Sequence, residues 1–142
     1  MSDIAGTFTL LSEQGMALDE ILILIGGVYN LFFAVFHLLF WRIFDWKNDL
    51  ASLTFLNRAI MQVLNLCLTF VFFIFGSLSL VHPGQMIGTS LGRMLTGLIA
   101  VFWLLRAVEQ VLFFKLEKWV SWVFLFVFLI GVCLYGLALV VG

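Results

Sequence analysis

Four long apolar runs restrict what this chain can fold into. They cover residues 21–44, 58–81, 91–114 and 119–141. Each run is long enough to cross a hydrocarbon layer of about 30 Å as a helix that rises about 1.5 Å per residue. The runs do not alternate apolar and polar residues, as membrane-spanning strands do. The sequence therefore predicts an all-α integral membrane protein with four transmembrane helices.

The composition agrees with a chain whose surface mostly contacts lipid. Hydrophobic residues make up 64% of the 142 residues and charged residues only 11%, whereas about 25% of the residues in soluble domains are charged. The net charge of −1 offers no basic surface for nucleic acid, so no nucleic-acid partner is predicted. We predict one membrane domain over residues 1–142, in which the spans form an up-down-up-down four-helix bundle in the lipid bilayer.

Lysine and arginine are distributed unevenly between the two ends of this bundle. In a four-span chain, the 45–57 and 115–118 loops lie at one end, and both termini and the 82–90 loop lie at the other. The end with both termini has Arg93 as its single lysine or arginine. The end with the 45–57 and 115–118 loops, called the basic end below, carries most of the basic residues: Arg42, Lys47, Arg58, Lys115 and Lys118.

The positive-inside rule uses this asymmetry to assign the sides of the membrane. It predicts that the 45–57 and 115–118 loops are cytoplasmic and that both termini lie on the non-cytoplasmic side of a plasma membrane or bacterial inner membrane. Interfacial aromatic anchors would mark the same boundary. The tryptophans that cluster there are Trp41, Trp46, Trp119 and Trp122.

Polar residues inside the apolar runs fall on single helix faces. Gln62 and Asn65 are three residues apart in the second run, and Arg106 and Gln110 are four apart in the third, so each pair shares one face. Such faces turn inward, because an unpaired polar group in hydrocarbon costs several kcal/mol. The fourth run has almost no strong polar group, and we predict that it is the peripheral, lipid-covered helix.

Counting inward from the basic end places polar groups of three helices at similar depth. His37, Asn65 and Arg106 each lie seven or eight residues from the end of their run, which is about 10–12 Å at the helical rise. Further polar groups lie nearer to the end, at about 6–8 Å by the same count. We predict one polar layer, whose candidate binding residues are His37, Gln62, Asn65, Arg106, Glu109 and Gln110.

Two interpretations of this polar layer stay open. Arg106 and Glu109 are three residues apart and can neutralise each other within one helix, while the other polar groups only join helices together. Alternatively, ionisable residues within a membrane mark a functional site. His37 could then relay a proton, because imidazole titrates near physiological pH.

The connecting segments carry weaker signals. Residues 46–53 space large apolar side chains at helical intervals between charges, which predicts a short interfacial helix or an apolar lid at the basic end. Pro83 is expected to end the second helix. Gly88 and Gly92 form a GxxxG pattern, which allows a close approach between helices.

The sequence contains no pattern of metal or cofactor ligands. Cys67 and Cys133 are isolated within apolar runs, so they form neither a metal-ligand pair nor a redox motif. His37 and His82 lie at opposite ends of the predicted bundle, so a haem with two histidine ligands is hard to build within one chain. A homodimer could supply a second His37, but nothing in the sequence requires it. We therefore predict no cofactor and no metal.

These features favour a small, non-enzymatic multi-pass membrane protein. It would act as a subunit of a larger complex or as a homo-oligomer, and would engage a membrane-protein partner or a small ligand through the polar layer. A second possibility is a proton-coupled or anion transporter, with His37 and Glu109 as proton carriers and Arg106 binding the anion. A third is an enzyme that acts on a lipophilic substrate at the inner leaflet.

The three possibilities predict different geometries. A transporter needs a polar route from the layer to the opposite membrane face. An enzyme needs a cavity that opens at the basic end beside Arg106, with room for a head group. A subunit co-purifies with a partner and keeps the polar layer closed.

Overall fold

The computed structural model describes residues 16–142, and this part of the chain contains helices and turns only. A single 3₁₀ turn covers Leu50–Ser52. The α-helices are α1 (Leu18–Leu38), α2 (Phe40–Ile43), α3 (Trp46–Asp49), α4 (Phe55–Val81), α5 (Pro83–Gly88), α6 (Ser90–Phe114) and α7 (Trp119–Val141). Four of them, α1, α4, α6 and α7, are long and apolar enough to cross a membrane. The prediction of an all-α, four-span membrane protein is thus confirmed.

The first apolar run, predicted as one helix over residues 21–44, is interrupted. The backbone carbonyl of His37 accepts a hydrogen bond of 3.0 Å from the Asn65 side chain, and α1 ends one residue later, at Leu38. The chain then turns at Leu39 and resumes as α2. The predicted span is therefore too long at this end, because a contact with a distant part of the sequence ends the helix. The other spans agree with the sequence to within three residues.

Helix α1 is the central helix of the bundle. In its most apolar 18-residue window, 44% of the residues are buried, against 22% in the corresponding windows of the other spans. It contacts α4 on one side and α7 on another, and α7 in turn packs against α6. The prediction that the fourth span is peripheral is wrong in its position, since α7 lies between α1 and α6. The predicted lipid-covered surface is present, because α7 is no more buried than α4 or α6.

A glycine in α7 allows α6 to pack closely against it. Trp103 of α6 is fully buried and stacks on Phe72 of α4, with 5.4 Å between ring centroids. Its indole lies against Gly131 of α7, where an added Cβ would be 2.6 Å from ring atoms. Gly131 thus creates the space that the largest core side chain fills.

A buried hydrogen-bond network joins three helices on the side of this core away from the basic end. The Tyr135 hydroxyl of α7 accepts from Asn30 Nδ2 of α1 at 2.7 Å and pairs with Ser79 Oγ of α4 at 2.9 Å. All three side chains are fully buried. The polar groups that the sequence places in this half are therefore satisfied mainly by one another.

The predicted loop over residues 82–90 contains the short helix α5. Pro83 occupies its first turn, and α4 ends two residues earlier, as the sequence predicts. Gly92 lies in close contact with the backbone of α5, whereas a side chain at Gly88 would meet nothing within 4 Å. The close approach predicted from the GxxxG pattern is confirmed for Gly92 and wrong for Gly88.

Candidate functional site

A cavity of about 680 Å³ opens at the basic end of the bundle. It lies between the first two-thirds of α4, the first half of α7, the last turns of α6, and the segment that runs from Phe33 in α1 through α3. Its volume falls within the range of about 300–1,000 Å³ that is usual for small-molecule sites. The cavity therefore occupies the region where the sequence predicts the polar layer.

Aromatic rings form half of the cavity wall. They come from every part of the chain that borders the cavity, so each side of the wall carries aromatic rings. The aromatic lining residues are Phe33, Phe36, Phe40, Phe44, Trp46, Phe72, Phe113, Phe114, Phe124 and Phe128. A wall of this kind favours an apolar occupant, which the few polar side chains between the rings would orient.

His37 and Asn65 form a reciprocal pair that joins α1 to α4. Asn65 Oδ1 lies 2.8 Å from His37 Nδ1, and Asn65 Nδ2 donates to the His37 carbonyl at 3.0 Å. The imidazole also stacks on the Phe40 ring, with 4.2 Å between centroids. Both polar side chains are buried, and His37 forms part of the cavity wall.

Arg106 and Glu109 pair within α6, as their spacing predicts. The Arg106 guanidinium carbon also lies 5.1 Å from the centre of the Phe128 ring of α7, within the range of a cation–π contact. Arg106 lines the cavity, whereas Glu109 does not. The positive charge thus borders the cavity while its counter-charge lies behind it.

Gln110 connects α6 to α7 through a serine that was not among the predicted site residues. Gln110 Nε2 donates to Ser121 Oγ at 2.8 Å, and Ser121 Oγ donates to the Lys115 carbonyl at 2.8 Å. Lys115 has a φ of 49°, which is unusual for a residue other than glycine. The tight 115–118 loop places Ser121 opposite Gln110. The short length of that loop is the sequence feature from which this contact could have been predicted.

The structure divides the predicted polar layer into separate pairs. His37 contacts Asn65, Arg106 contacts Glu109, and Gln110 contacts Ser121. Gln62 is half-buried on α4 but makes no side-chain hydrogen bond within residues 16–142, and it does not line the cavity. The cavity-lining members of the predicted set are His37, Arg106 and Gln110.

The segment between α1 and α4 covers one side of the cavity. Asp45 takes a left-handed φ of 45°, which aspartate tolerates better than most residues. The turn directs Trp46 inward, so that its ring lies 5.4 Å from that of Phe40 and only 8% of the residue is exposed. Trp46 is therefore a cavity-wall residue rather than the interfacial anchor predicted from the sequence. Of the two predictions for residues 46–53, the apolar lid describes Trp46 better than the interfacial helix.

The deep end of the cavity is closed by apolar packing. Phe33, Phe72 and Trp103 pack against one another with ring centroids 4.9–5.5 Å apart. Beyond them, Ile23 and Ile99 are fully buried. Within the part of the chain that the structure describes, no side-chain hydrogen bond connects the cavity-lining residues to the Asn30–Tyr135 network.

Comparison of the chain with family models, with curated proteins and with solved structures gives no match. Among residues 16–142, no group of three or more histidine, cysteine or acidic side chains is arranged to hold a metal ion. The geometry of the cavity is therefore the basis on which a function is proposed.

Proposed function

We propose that this small multi-pass membrane protein is a ligand-engaging component of a membrane complex, and that its cavity binds a lipophilic molecule at the cytoplasmic end. The observation that carries the proposal is the cavity of about 680 Å³, whose wall is half aromatic and includes three residues of the predicted polar layer, His37, Arg106 and Gln110. Ligand sites in proteins combine these same two features, an apolar wall and a few convergent polar groups.

The shape of the cavity favours binding over transport. A transporter requires a route through the bundle, and the packed rings of Phe33, Phe72 and Trp103 lie across that route. The closed polar layer expected of a subunit is not found, since this layer borders an open cavity. An open cavity beside Arg106 also meets the geometric requirement of an enzyme that acts on a lipophilic substrate. Binding of a lipophilic molecule at this end is the step that both functions require.

Two neighbouring residues of α4 provide a test with a matched control. Met61 lines the cavity and Ile60 does not, although both are partly exposed apolar residues, at 42% and 45%. The full chain would be placed in phosphatidylcholine nanodiscs, and equilibrium binding of tritiated 4-dodecylphenol and dodecanoic acid would be measured. We expect saturable binding of at least one probe, weakened about tenfold by Met61→Trp, which fills the cavity.

The control in this experiment is Ile60→Trp, which adds the same side chain on an adjoining face and should leave binding unchanged. Loss of binding in both variants, or no saturable binding of either probe to the native chain, would contradict a ligand site in the cavity. Empty nanodiscs measure partition into lipid, which does not saturate.

The role as a subunit is supported by Gln62. This amide lies within a span, is half-buried and has no hydrogen-bond partner within residues 16–142, and polar side chains in such positions commonly join neighbouring helices. Purification in mild detergent at native expression should recover a second membrane protein or a second copy of this chain. Gln62→Leu should reduce that recovery, and recovery of the native chain only as a lone monomer would refute the subunit role.

The cytoplasmic location of the basic end can be tested separately. Cys67 and Cys133 would first be replaced by serine, since both are exposed. A single cysteine at Lys118 should then react with a membrane-impermeant maleimide only after the cells are opened, whereas one at His82 should react in intact cells. The reverse pattern would invert the proposed orientation.

A further inference from the structure

The hydrogen bonds around His37 determine which of its ring nitrogens carries the proton. Asn65 Nδ2 donates to the His37 carbonyl, so the amide oxygen Oδ1 is the atom that faces His37 Nδ1. If the Asn65 amide were rotated by half a turn, its oxygen would lie 3.0 Å from the His37 carbonyl oxygen, and two acceptors would face each other. Nδ1 therefore donates to Asn65, and in the neutral imidazole Nε2 is left as a hydrogen-bond acceptor.

Nε2 of His37 has no hydrogen-bond partner within residues 16–142. It is not fully buried, so it is accessible from outside the packed core. Because His37 forms part of the cavity wall, a molecule in the cavity can reach this nitrogen. The stacking of the imidazole on Phe40 and its bond to Asn65 hold the ring in one orientation. The cavity thus presents a fixed acceptor on the α1 side.

The same reasoning applies to Gln110 on the opposite wall. Ser121 Oγ gives its one hydrogen to the Lys115 carbonyl, so it must accept from Gln110 Nε2. This bond fixes the orientation of the Gln110 amide and leaves its oxygen, Oε1, without a hydrogen bond within the described chain. A second acceptor therefore borders the cavity.

The charges that line the cavity nearly balance. The cationic lining residues are Arg106, Lys115 and Lys118, and the anionic ones are Asp49 and Glu117. The Arg106 guanidinium is already paired with Glu109. An anionic molecule would therefore compete with Glu109 for Arg106, and it would face two acceptors with which it cannot form hydrogen bonds.

We propose, building on the ligand site above, that the cavity binds an uncharged amphiphile whose polar end is a hydroxyl group. The hydroxyl donates to Nε2 of His37 or Oε1 of Gln110, and its oxygen accepts from the free N–H groups of Arg106. The apolar body lies among the aromatic rings. Two sources share this chemistry: a membrane lipid with a free hydroxyl, such as a diacylglycerol, and a lipophilic phenol.

The first experiment uses the native chain in phosphatidylcholine nanodiscs and a matched series of probes. These are 4-dodecylphenol, its methyl ether, which cannot donate a hydrogen bond, and dodecanoate. We expect the phenol to bind about tenfold more tightly than either of the others, since a factor of ten corresponds to about 1.4 kcal/mol, the scale of one hydrogen bond. Displacement of the phenol by dioleoylglycerol would indicate a membrane lipid as the source, and failure to displace it a lipophilic phenol.

The second experiment asks whether His37 provides the discrimination. His37→Ala should reduce the preference for the phenol over the ether, and His82→Ala is the control because His82 is exposed and does not line the cavity. Gln110→Leu serves as a second variant if His37→Ala does not fold, and it should also reduce the preference.

The outcomes separate this inference from the proposed ligand site. Equal binding of the phenol and its ether, or tighter binding of dodecanoate, would overturn the hydroxyl preference while leaving a lipophilic site in place. If none of the three probes shows saturable binding, the ligand site fails together with the inference.

Discussion

Replacement of Tyr135 by phenylalanine tests whether α7 is an interior helix. The change removes one hydroxyl, which pairs with Asn30 of α1 and Ser79 of α4. Interhelical hydrogen bonds in membrane bundles contribute about 0.6 kcal/mol on average and about 1.7 kcal/mol at most. Loss of both bonds should lower the free energy of unfolding by about 1–3 kcal/mol. Asn30 keeps its bond to the Gly26 carbonyl, which limits the cost to this range.

A double-mutant cycle with Ser79→Ala isolates the bond between α4 and α7. Unfolding would be followed by tryptophan fluorescence as a denaturing detergent is added to mixed micelles. The two substitutions should couple by about 0.6–1.7 kcal/mol. Ser77→Ala is the matched control, since Ser77 lies two residues away and makes no side-chain hydrogen bond within the described chain. If Tyr135→Phe costs nothing measurable, or if its effect adds to that of Ser79→Ala, then the buried network does not join these helices.

Two further predictions concern the packing of α6. Gly131→Ala places a methyl group against Trp103 and should destabilise the bundle by about 1–3 kcal/mol, whereas Gly136→Ala, which meets nothing within 4 Å, should not; equal effects in the same unfolding assay would argue against the close contact. Arg106→Ala and Glu109→Ala should each leave one charge without a partner, so the sum of their single effects should exceed that of the double variant by about 0.5 kcal/mol or more. Additive effects would show that the two charges do not couple.

The spans and two polar pairs were predictable from the sequence. Apolar run length determines where helices can cross the membrane, and three of the four spans agree with it closely. His37 and Asn65 meet because they lie at equal depth on neighbouring helices, and depth can be counted along a sequence. Arg106 and Glu109 pair because their spacing within one helix is sufficient.

The interior position of α7 was not predictable from polar residues. Its place in the bundle depends on Gly131, which admits the Trp103 ring, and on the single hydroxyl of Tyr135. Neither produces a polar stripe along the helix. A search for polar faces therefore overlooks a helix that is held inside by a small residue and one hydrogen bond.

The cavity also depends on features that local patterns do not reveal. The end of α1 is set by Asn65, which is 28 residues away from His37 in the sequence, and the turn at Asp45 brings Trp46 to the wall. Phenylalanine is present on lipid-facing and cavity-facing surfaces alike. Its abundance therefore gives no indication of which rings surround a space.

The central claim, a lipophilic ligand site at the basic end, is tested most directly by photoaffinity labelling. A 4-dodecylphenol that carries a diazirine on its chain would be irradiated with the native chain in nanodiscs, and the labelled residues would be identified by mass spectrometry. We predict saturable labelling within residues 33–46 and 106–128, which excess unlabelled 4-dodecylphenol abolishes. Labelling spread over the lipid-facing residues of α4 and α6, and insensitive to the competitor, would contradict the claim.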